Sequence, residues 1–294
     1  MSGRAAPSGG RASLLGGPPI GTLEAAGGGP GVLALHGFGA TPQEVDLVVG
    51  IARELGLAAL APLLPGHGTS VPDLARTRFS HWLLAAERAL FQLVAEHEQV
   101  IVIGSSMGSL IALDLAVDFP DRVVGVGVLG SPIRLPWPYP SLALAAIDWL
   151  GIPDFTLPKS APDILDPEGR RTQVTYSEQP AHAGNEVRRA GRRVEGRLGL
   201  VSCPAFVAHG RHDRVCPAKN ARIVHARLGT PASEKELLIL ERSHHIITRD
   251  VERGILHTRL RAFIERLSAR ADRAPSSASD AGGPVSTRRA IGLR

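Results

Sequence analysis

The stretch from Gln99 to Phe119, QVIVIGSSMGSLIALDLAVDF, narrows the possible folds more than any other. Gln99–Gly104 is β-branched and apolar, the pattern of a strand buried on both faces. Ser106–Phe119 has the apolar spacing of a helix and is stopped by Pro120. Between them stands Gly104-Ser105-Ser106-Met107-Gly108, a G-x-S-x-G turn. A strand that turns so abruptly into a helix leaves no room for side chains two residues before and two after the serine. The serine itself is held in strained backbone with its Oγ exposed. Glycines at 104 and 108 put Ser106 in frame and leave Ser105 out of it. The helix N-terminus beneath favours negative charge. The same letters also suit a plain Gly/Ser turn capping a helix, so the chemical reading depends on partners elsewhere in the chain.

Strands and helices alternate on both sides of this turn. Gly31–Leu35, Leu57–Pro62, Val123–Leu129, Ala205–His209 and Leu237–Leu240 are short apolar runs that predict buried strands. Thr41–Leu55 predicts a helix, with Thr41 as cap, Pro42 at its first position and Glu44 closing a capping box. Ser80–His97, capped by Ser80, and Asp250–Leu267 predict two more. Buried strands separated by helices imply a mostly parallel sheet with helices on both faces. From Ser131 to Ser202 the alternation lapses and prolines multiply. About 70 residues is too long for a plain loop. The segment reads as an inserted helical cap, with helices over Ser141–Leu150 and Ala181–Leu198.

The ends differ from this body. Residues 1–30 are rich in Gly, Pro, Ala and Ser and read as a disordered tail, as do residues 268–294. The domain therefore spans 31–267. Net charge is +5, from 33 Lys+Arg against 28 Asp+Glu. The first tail carries +1 and the second +3, so the body holds +1. A nucleic-acid module keeps its basic patch on the folded body, with aromatics for stacking. Aromatics are 4% here, and no nucleic-acid partner is expected. Neither a signal-peptide core nor a membrane-length apolar run occurs, which predicts a cytoplasmic protein. The two cysteines, Cys203 and Cys216, flank a strand of about 20 Å, so no bond joins them.

A serine hydroxyl needs a general base, and the base needs a carboxylate to orient it. In this strand–turn–helix setting the chain order is serine, acid, histidine. After the insertion, Ala205–Gly210 is a strand followed by Arg211-His212-Asp213. Asp213 stands just past the strand's carboxyl end, where open α/β sheets gather their ligands. The strand ending at Leu240 leads to Ser243-His244-His245. The residues alone leave His244 and His245 as equal candidates. An oxyanion needs two backbone N–H donors. Met107, after the serine, supplies one. Phe38, between Gly37 and Gly39 after the first strand, supplies the second, and its ring can line an acyl pocket. His36, His67, His209 and His212 flank glycines and read as scaffold residues.

These pieces resemble the bacterial carboxylesterase and monoacylglycerol lipase family of α/β-hydrolases. The matching segments are LHGFGATPQE (35–44), PLLPGHGTS (62–70), the Trp82 helix, GSSMGS (104–109), HGRHDRVCP (209–217) and SHHIITRD (243–250). In that family the histidine lies in Ser-Gly-His-x-x-Thr-x-Asp. Ser243, Thr248 and Asp250 then place it at His245, with His244 where the family has Gly. The resemblance implies an α/β-hydrolase fold and hydrolysis of small-acyl esters or monoglycerides, with no cofactor and no metal. The expected site is Ser106, Asp213 and His245, with backbone N–H groups of Phe38 and Met107 as oxyanion donors beside the substrate. Epoxide hydrolases and dehalogenases place Asp at the elbow, which Ser106 argues against. A peptidase, amide or carbon–carbon hydrolase on the same residues stays open, as does a non-catalytic binding module. In the insertion, Leu142, Leu144, Ala145, Ile147 and Trp149 suit either a lid or packing on the domain. Arg188, Arg189, Arg192, Arg193 and Arg197 read as a solvated basic face, with contact to an anionic substrate or a lipid surface as the alternative.

Overall fold

A computed structural model describes residues 14–15, 21–135, 155–159 and 161–271 of the 294. In chain order, β1 (Leu14–Leu15), β2 (Leu23–Ala25) and β3 (Gly28–Leu35) lead to a 3-10 turn, α1 (Asp46–Glu54) and β4 (Leu57–Ala61). There follow α2 (Val71–Ala75), α3 (Phe79–Val94), β5 (Val100–Ser105), α4 (Met107–Asp118) and β6 (Val123–Leu129). The insertion contributes β7 (Thr156–Pro158), α5 (Pro167–Thr172), β8 (Thr175–Tyr176), β9 (Glu178–Pro180) and α6 (Ala181–Glu195). The chain closes with β10 (Ala205–Gly210), α7 (Lys219–Arg227), β11 (Lys235–Leu240) and α8 (Arg253–Ala271).

Seven strands form one sheet in the order β11-β10-β6-β5-β3-β4-β2, parallel except for β2. Alternation along the strands assigns the two faces. Leu33 and Leu35 of β3 and Val100 and Val102 of β5 join one apolar cluster with Trp82, Leu90 and Leu110 of α3 and α4 and with α6 and α7. Val32, Ala34, Ile101 and Ile103 join the opposite cluster with Val48, Ile51, Leu260 and Phe263 of α1 and α8. β5 is the fourth of seven strands and buried at every position. The turn at its carboxyl end therefore opens at the middle of the sheet.

The ends and the insertion depart from expectation. Strand structure starts inside the segment read as a tail. Leu23–Ala25 pairs antiparallel with Ala59–Ala61, and β3 begins at Gly28 rather than at 31. Three residues suffice to satisfy the outer edge of β4, too few to leave a periodic signal. At the other end α8 runs to Ala271, four residues past the expected boundary. The insertion is mixed where helices alone were expected. β7 pairs with β9, and β8 pairs with β1. These pieces of two and three residues are too short to show alternation. The expected helix over Ser141–Leu150 lies outside the described residues. The short α5 was missed although its signal was present: Asp166 accepts the Gly169 N–H at 2.9 Å, with Pro167 at the first position.

Helix starts also differ. Thr41 makes no side-chain cap, and a 3-10 turn over Pro42–Val45 precedes α1. Glu44 turns back to accept the Gly37 N–H at 3.0 Å instead of closing a capping box. α3 is capped at Arg78, whose N–H is accepted by His81 Nδ1 at 3.2 Å, rather than at Ser80. Among the described residues, no helix is long and apolar enough to cross a membrane.

Candidate active site

Ser106 sits between the last residue of β5 and the first of α4, at φ 48° and ψ −120°. It is the one non-glycine residue with positive φ among those described. Such a conformation costs about 1–3 kcal/mol and persists only where the surroundings enforce it. Here they do. The Ser106 N–H donates to Leu129 O at 2.8 Å, and Ser109 Oγ donates to Ser106 O at 2.6 Å. A Cβ on Gly104 would lie 2.1 Å from Gly108 O, and one on Gly108 would lie 2.2 Å from Leu35 O. Backbone fills both places, so only glycine serves.

The structure brings the separated candidates together. His245 Nε2 lies 3.0 Å from Ser106 Oγ, and His245 Nδ1 lies 2.7 Å from Asp213 Oδ2. A carboxylate can only accept, so Nδ1 carries the proton and Nε2 is left to accept from the Ser106 hydroxyl. Of the two histidines, His245 is the one that stands between Ser106 and Asp213. His244 points elsewhere, its Nδ1 lying 3.1 Å from Asp163 Oδ1.

Asp213 is fully enclosed at its side chain. Its Oδ1 accepts the N–H groups of Val215 at 2.8 Å and Cys216 at 2.7 Å. His209, also fully buried, places Nε2 2.8 Å from Asp213 Oδ2 and 3.1 Å from Cys216 O, so its Nε2–H is shared between these two acceptors. Burial by itself raises the carboxyl pKa, but the charge and hydrogen bonds of His245 and His209 more than offset it, so Asp213 is held below the usual carboxylate range. Burial pulls the His245 pKa down, and the charge and hydrogen bond of Asp213 more than reverse that, leaving it raised. The pair thus favours an imidazole ready to take a proton over an anionic partner.

The loop after β3 lies against the serine. A Cβ on Gly37 would come 3.1 Å from Ser106 Cβ. Glu44 holds Gly37 N–H, while Gly39 O accepts from Thr175 Oγ1 at 3.0 Å and from Tyr176 N at 3.3 Å. Phe38 is pinned between these anchors. Its N–H donates to no acceptor among the described residues, and Met107, as the first residue of α4, has no helical partner for its own. The Phe38 ring packs edge-on against His67 and Trp82, with ring centres 6.1 and 5.8 Å away.

Several residues that organise the site escaped the sequence reading. Asp163, in the insertion, touches both loops. Its Oδ2 accepts the N–H of Arg214 at 2.9 Å and of His245 at 3.2 Å, and its main-chain oxygen also accepts the His245 N–H at 3.1 Å. Asp250 accepts the His244 N–H at 2.7 Å and the N–H groups of Leu165 and Asp166 at 2.8 and 2.9 Å. Glu252 accepts from Ser243 Oγ at 2.7 Å. Asp250 lay within a quoted motif, but nothing around Asp163 marks it.

The basic face is also different from expectation. Arg193 and Arg197 both pair with Asp114 of α4, the latter at 2.6 Å, and Arg197 also pairs with Asp118. They tie α6 and the turn that follows it to α4 rather than facing only water. Both cysteines are free. Burial pushes the Cys203 thiol up to about 12 and the Cys216 thiol well above its ordinary value. Among the described residues, one group has metal-ligand spacing: Asp213, Cys216 and His245, with ligating atoms within 4.8 Å of one another. The carboxylate and imidazole of that group are already bonded to each other, and the thiol stays protonated.

Strand order, elbow and loop positions together define an α/β-hydrolase. Residues 30–252 match the Hydrolase_4 family, described as serine aminopeptidase, S33, and the chain belongs to that family. It is 28% identical over 236 residues to a thermostable monoacylglycerol lipase from Bacillus sp. (strain H-257), covering 80% of this chain and 90% of that protein. It is 24% identical over 243 residues to a carboxylesterase from Bacillus subtilis (strain 168), covering 82% and 94%. A solved structure from work on LipS and LipT, two metagenome-derived lipolytic enzymes, superimposes with a TM-score of 0.77 at 29% identity, covering 86% of this chain and all of that one.

Proposed function

We propose that this protein is a serine hydrolase of carboxylic esters, acting on short- to medium-chain acyl esters with monoacylglycerols among them. The observation that carries this reading is the unbroken hydrogen-bond chain from Ser106 Oγ through His245 to Asp213. The lipase and carboxylesterase names of two relatives that align over most of both chains support the ester class.

Ser106 Oγ attacks the ester carbonyl while His245 Nε2 takes its proton. Asp213 keeps the ring oriented and stabilises the imidazolium that forms. The carbonyl oxygen becomes an oxyanion received by the N–H groups of Phe38 and Met107. His245 then returns the proton to the leaving alcohol, and Ser106 is left acylated. Water, activated by the same imidazole, releases the acid and restores the hydroxyl. The partly exposed Phe38 ring, backed by the buried His67 and Trp82, offers an aromatic surface to an apolar acyl group.

The test has two arms. Purified enzyme should react with a fluorophosphonate probe at Ser106 and hydrolyse p-nitrophenyl butyrate, and Ser106→Ala should lose both. Equal hydrolysis by Ser106→Ala would refute the mechanism. The family description favours amide cleavage as the competing reading. Aminoacyl p-nitroanilides turned over faster than p-nitrophenyl and monoacylglycerol esters would replace the ester assignment with it.

A further inference from the structure

Three of the 33 basic residues are lysines, and one of them stands beside the loop proposed to hold the oxyanion. Lys159 follows β7 and is partly buried. Its Nζ donates to Thr175 Oγ1 at 2.6 Å, and a Cβ on Gly39 would lie 3.5 Å from it. Gly39 is two residues from Gly37, which packs on Ser106, so at most about 7 Å of backbone separates the two contacts. No carboxylate among the described residues comes within ion-pair distance of Lys159; Glu44 acts on it only through space. A partly buried ammonium that no described carboxylate contacts carries a desolvation cost and marks a functional position more often than a structural one. A second unsatisfied group lies close by. His67 Nε2 is buried without a hydrogen-bond partner, its Nδ1 being turned to Pro65 O at 3.1 Å. His67 is near enough to Lys159 for the lysine's charge to depress its pKa, after the larger effects of burial and His36.

We propose that Lys159 receives a second, anionic group of the ester substrate, a carboxylate carried on its acyl or its alcohol side. One donor of the ammonium is spent on Thr175 and two remain. The carboxylate supplies a counter-ion that the described residues do not, and the contact is a charge-assisted hydrogen bond. His67 Nε2 accepts from a hydroxyl on the same group where one is present. The arrangement selects mono-esters of dicarboxylic acids, or esters of hydroxy acids, over neutral esters of equal length. This inference rests on the ester-hydrolase reading and sharpens its substrate class.

The experiment compares kcat/KM within two isosteric pairs at fixed salt. p-Nitrophenyl hydrogen glutarate against p-nitrophenyl hexanoate reports the acyl side. 4-Acetoxybenzoate against its methyl ester reports the alcohol side. In one pair the anionic ester should exceed its neutral partner about tenfold or more, as loss of one charge-assisted bond predicts. Lys159→Met should collapse that ratio and Lys159→Arg should retain most of it. No preference in either pair with the wild-type enzyme, or a ratio unchanged in Lys159→Met, overturns the proposal. The wild-type ratios decide even if the variants fold poorly. Turnover of the neutral esters reports separately whether ester hydrolysis itself stands.

Discussion

Asp163 provides the sharpest test of how the site is held. It comes from the insertion, yet its carboxylate bonds the N–H of Arg214 beside Asp213 and the N–H of His245. Two substitutions separate its charge from its shape. In Asp163→Ala the His245 N–H keeps the main-chain oxygen of residue 163, and the exposed Arg214 N–H turns to water. What is lost is about one charge-assisted bond, about 2 kcal/mol. In Asp163→Asn the side-chain carbonyl still accepts, and the loss is about half of that. If that energy maintains the alignment of both loops, kcat/KM falls about 30-fold in the alanine variant and about fivefold in the asparagine variant. The pH profile distinguishes alignment from simple loosening. Against the lowering by burial, the Asp163 charge helps to raise the His245 proton affinity, as Glu44 does and Asp213 most of all. Neutralising it lowers the His245 pKa, so the acid limb of kcat/KM moves to lower pH in Asp163→Asn. The assay is p-nitrophenyl butyrate hydrolysis from pH 5 to 9, with thermal unfolding alongside. An acid limb that stays in place while only the melting temperature falls would refute a positioning role.

Further expectations concern the elbow, the buried histidines and the α4–α6 contact. Gly104→Ala forces a methyl group onto Gly108 backbone, and it should cost about 3 kcal/mol or more and lower Tm by about 10 °C in a calorimetric scan. Burial lowers the pKa of His36 and, most strongly, of His67 from 6.5, so the unfolded chain binds protons there that the folded chain does not. Stability from these two should be present above pH 6.5 and be lost as pH falls below it, read as a declining urea midpoint. His245 has the opposite sign, and the two buried scaffold histidines should outweigh it. Replacing both Arg193 and Arg197 by alanine strands the buried Asp114 carboxylate, whose pKa burial already raises. Such a loss costs about 3–5 kcal/mol at pH 7, and denaturant titrations should recover part of it as pH falls and the raised Asp114 carboxyl takes up a proton.

The sheet and the G-x-S-x-G turn were legible because their signals are local and dense. Six consecutive apolar or small residues in β5 and two obligatory glycines four apart admit few other structures. Asp213 and His245 were legible in a weaker way, as types in the required order after strands, with the choice between His244 and His245 resting on the Ser243, Thr248 and Asp250 spacing. Distance geometry supplied what order could not. The insertion was read poorly because its strands are two or three residues long and pair with segments far away in sequence, as β8 does with β1. Asp163 was invisible for a related reason. Its partners are main-chain N–H groups of two distant loops, and a main chain carries no sequence signature. Glu44 was misread because a local partner, the helix start, competed with Gly37, and tertiary packing chose Gly37.

The three residues of β2 occupy the outer edge of β4, at one end of the seven-stranded sheet. An uncovered edge strand offers a row of free N–H and C=O groups to any extended chain it meets. β4 is buried on both faces and carries no charged residue, so its bare edge would be apolar and flat as well as unpaired. The glycine-rich lead therefore works as a selvedge, the woven border that stops a fabric from fraying. A shortened protein cut where the hydrophobic pattern begins, at residue 31, would keep every residue of the proposed catalytic apparatus and expose an edge on which molecules can join one to another.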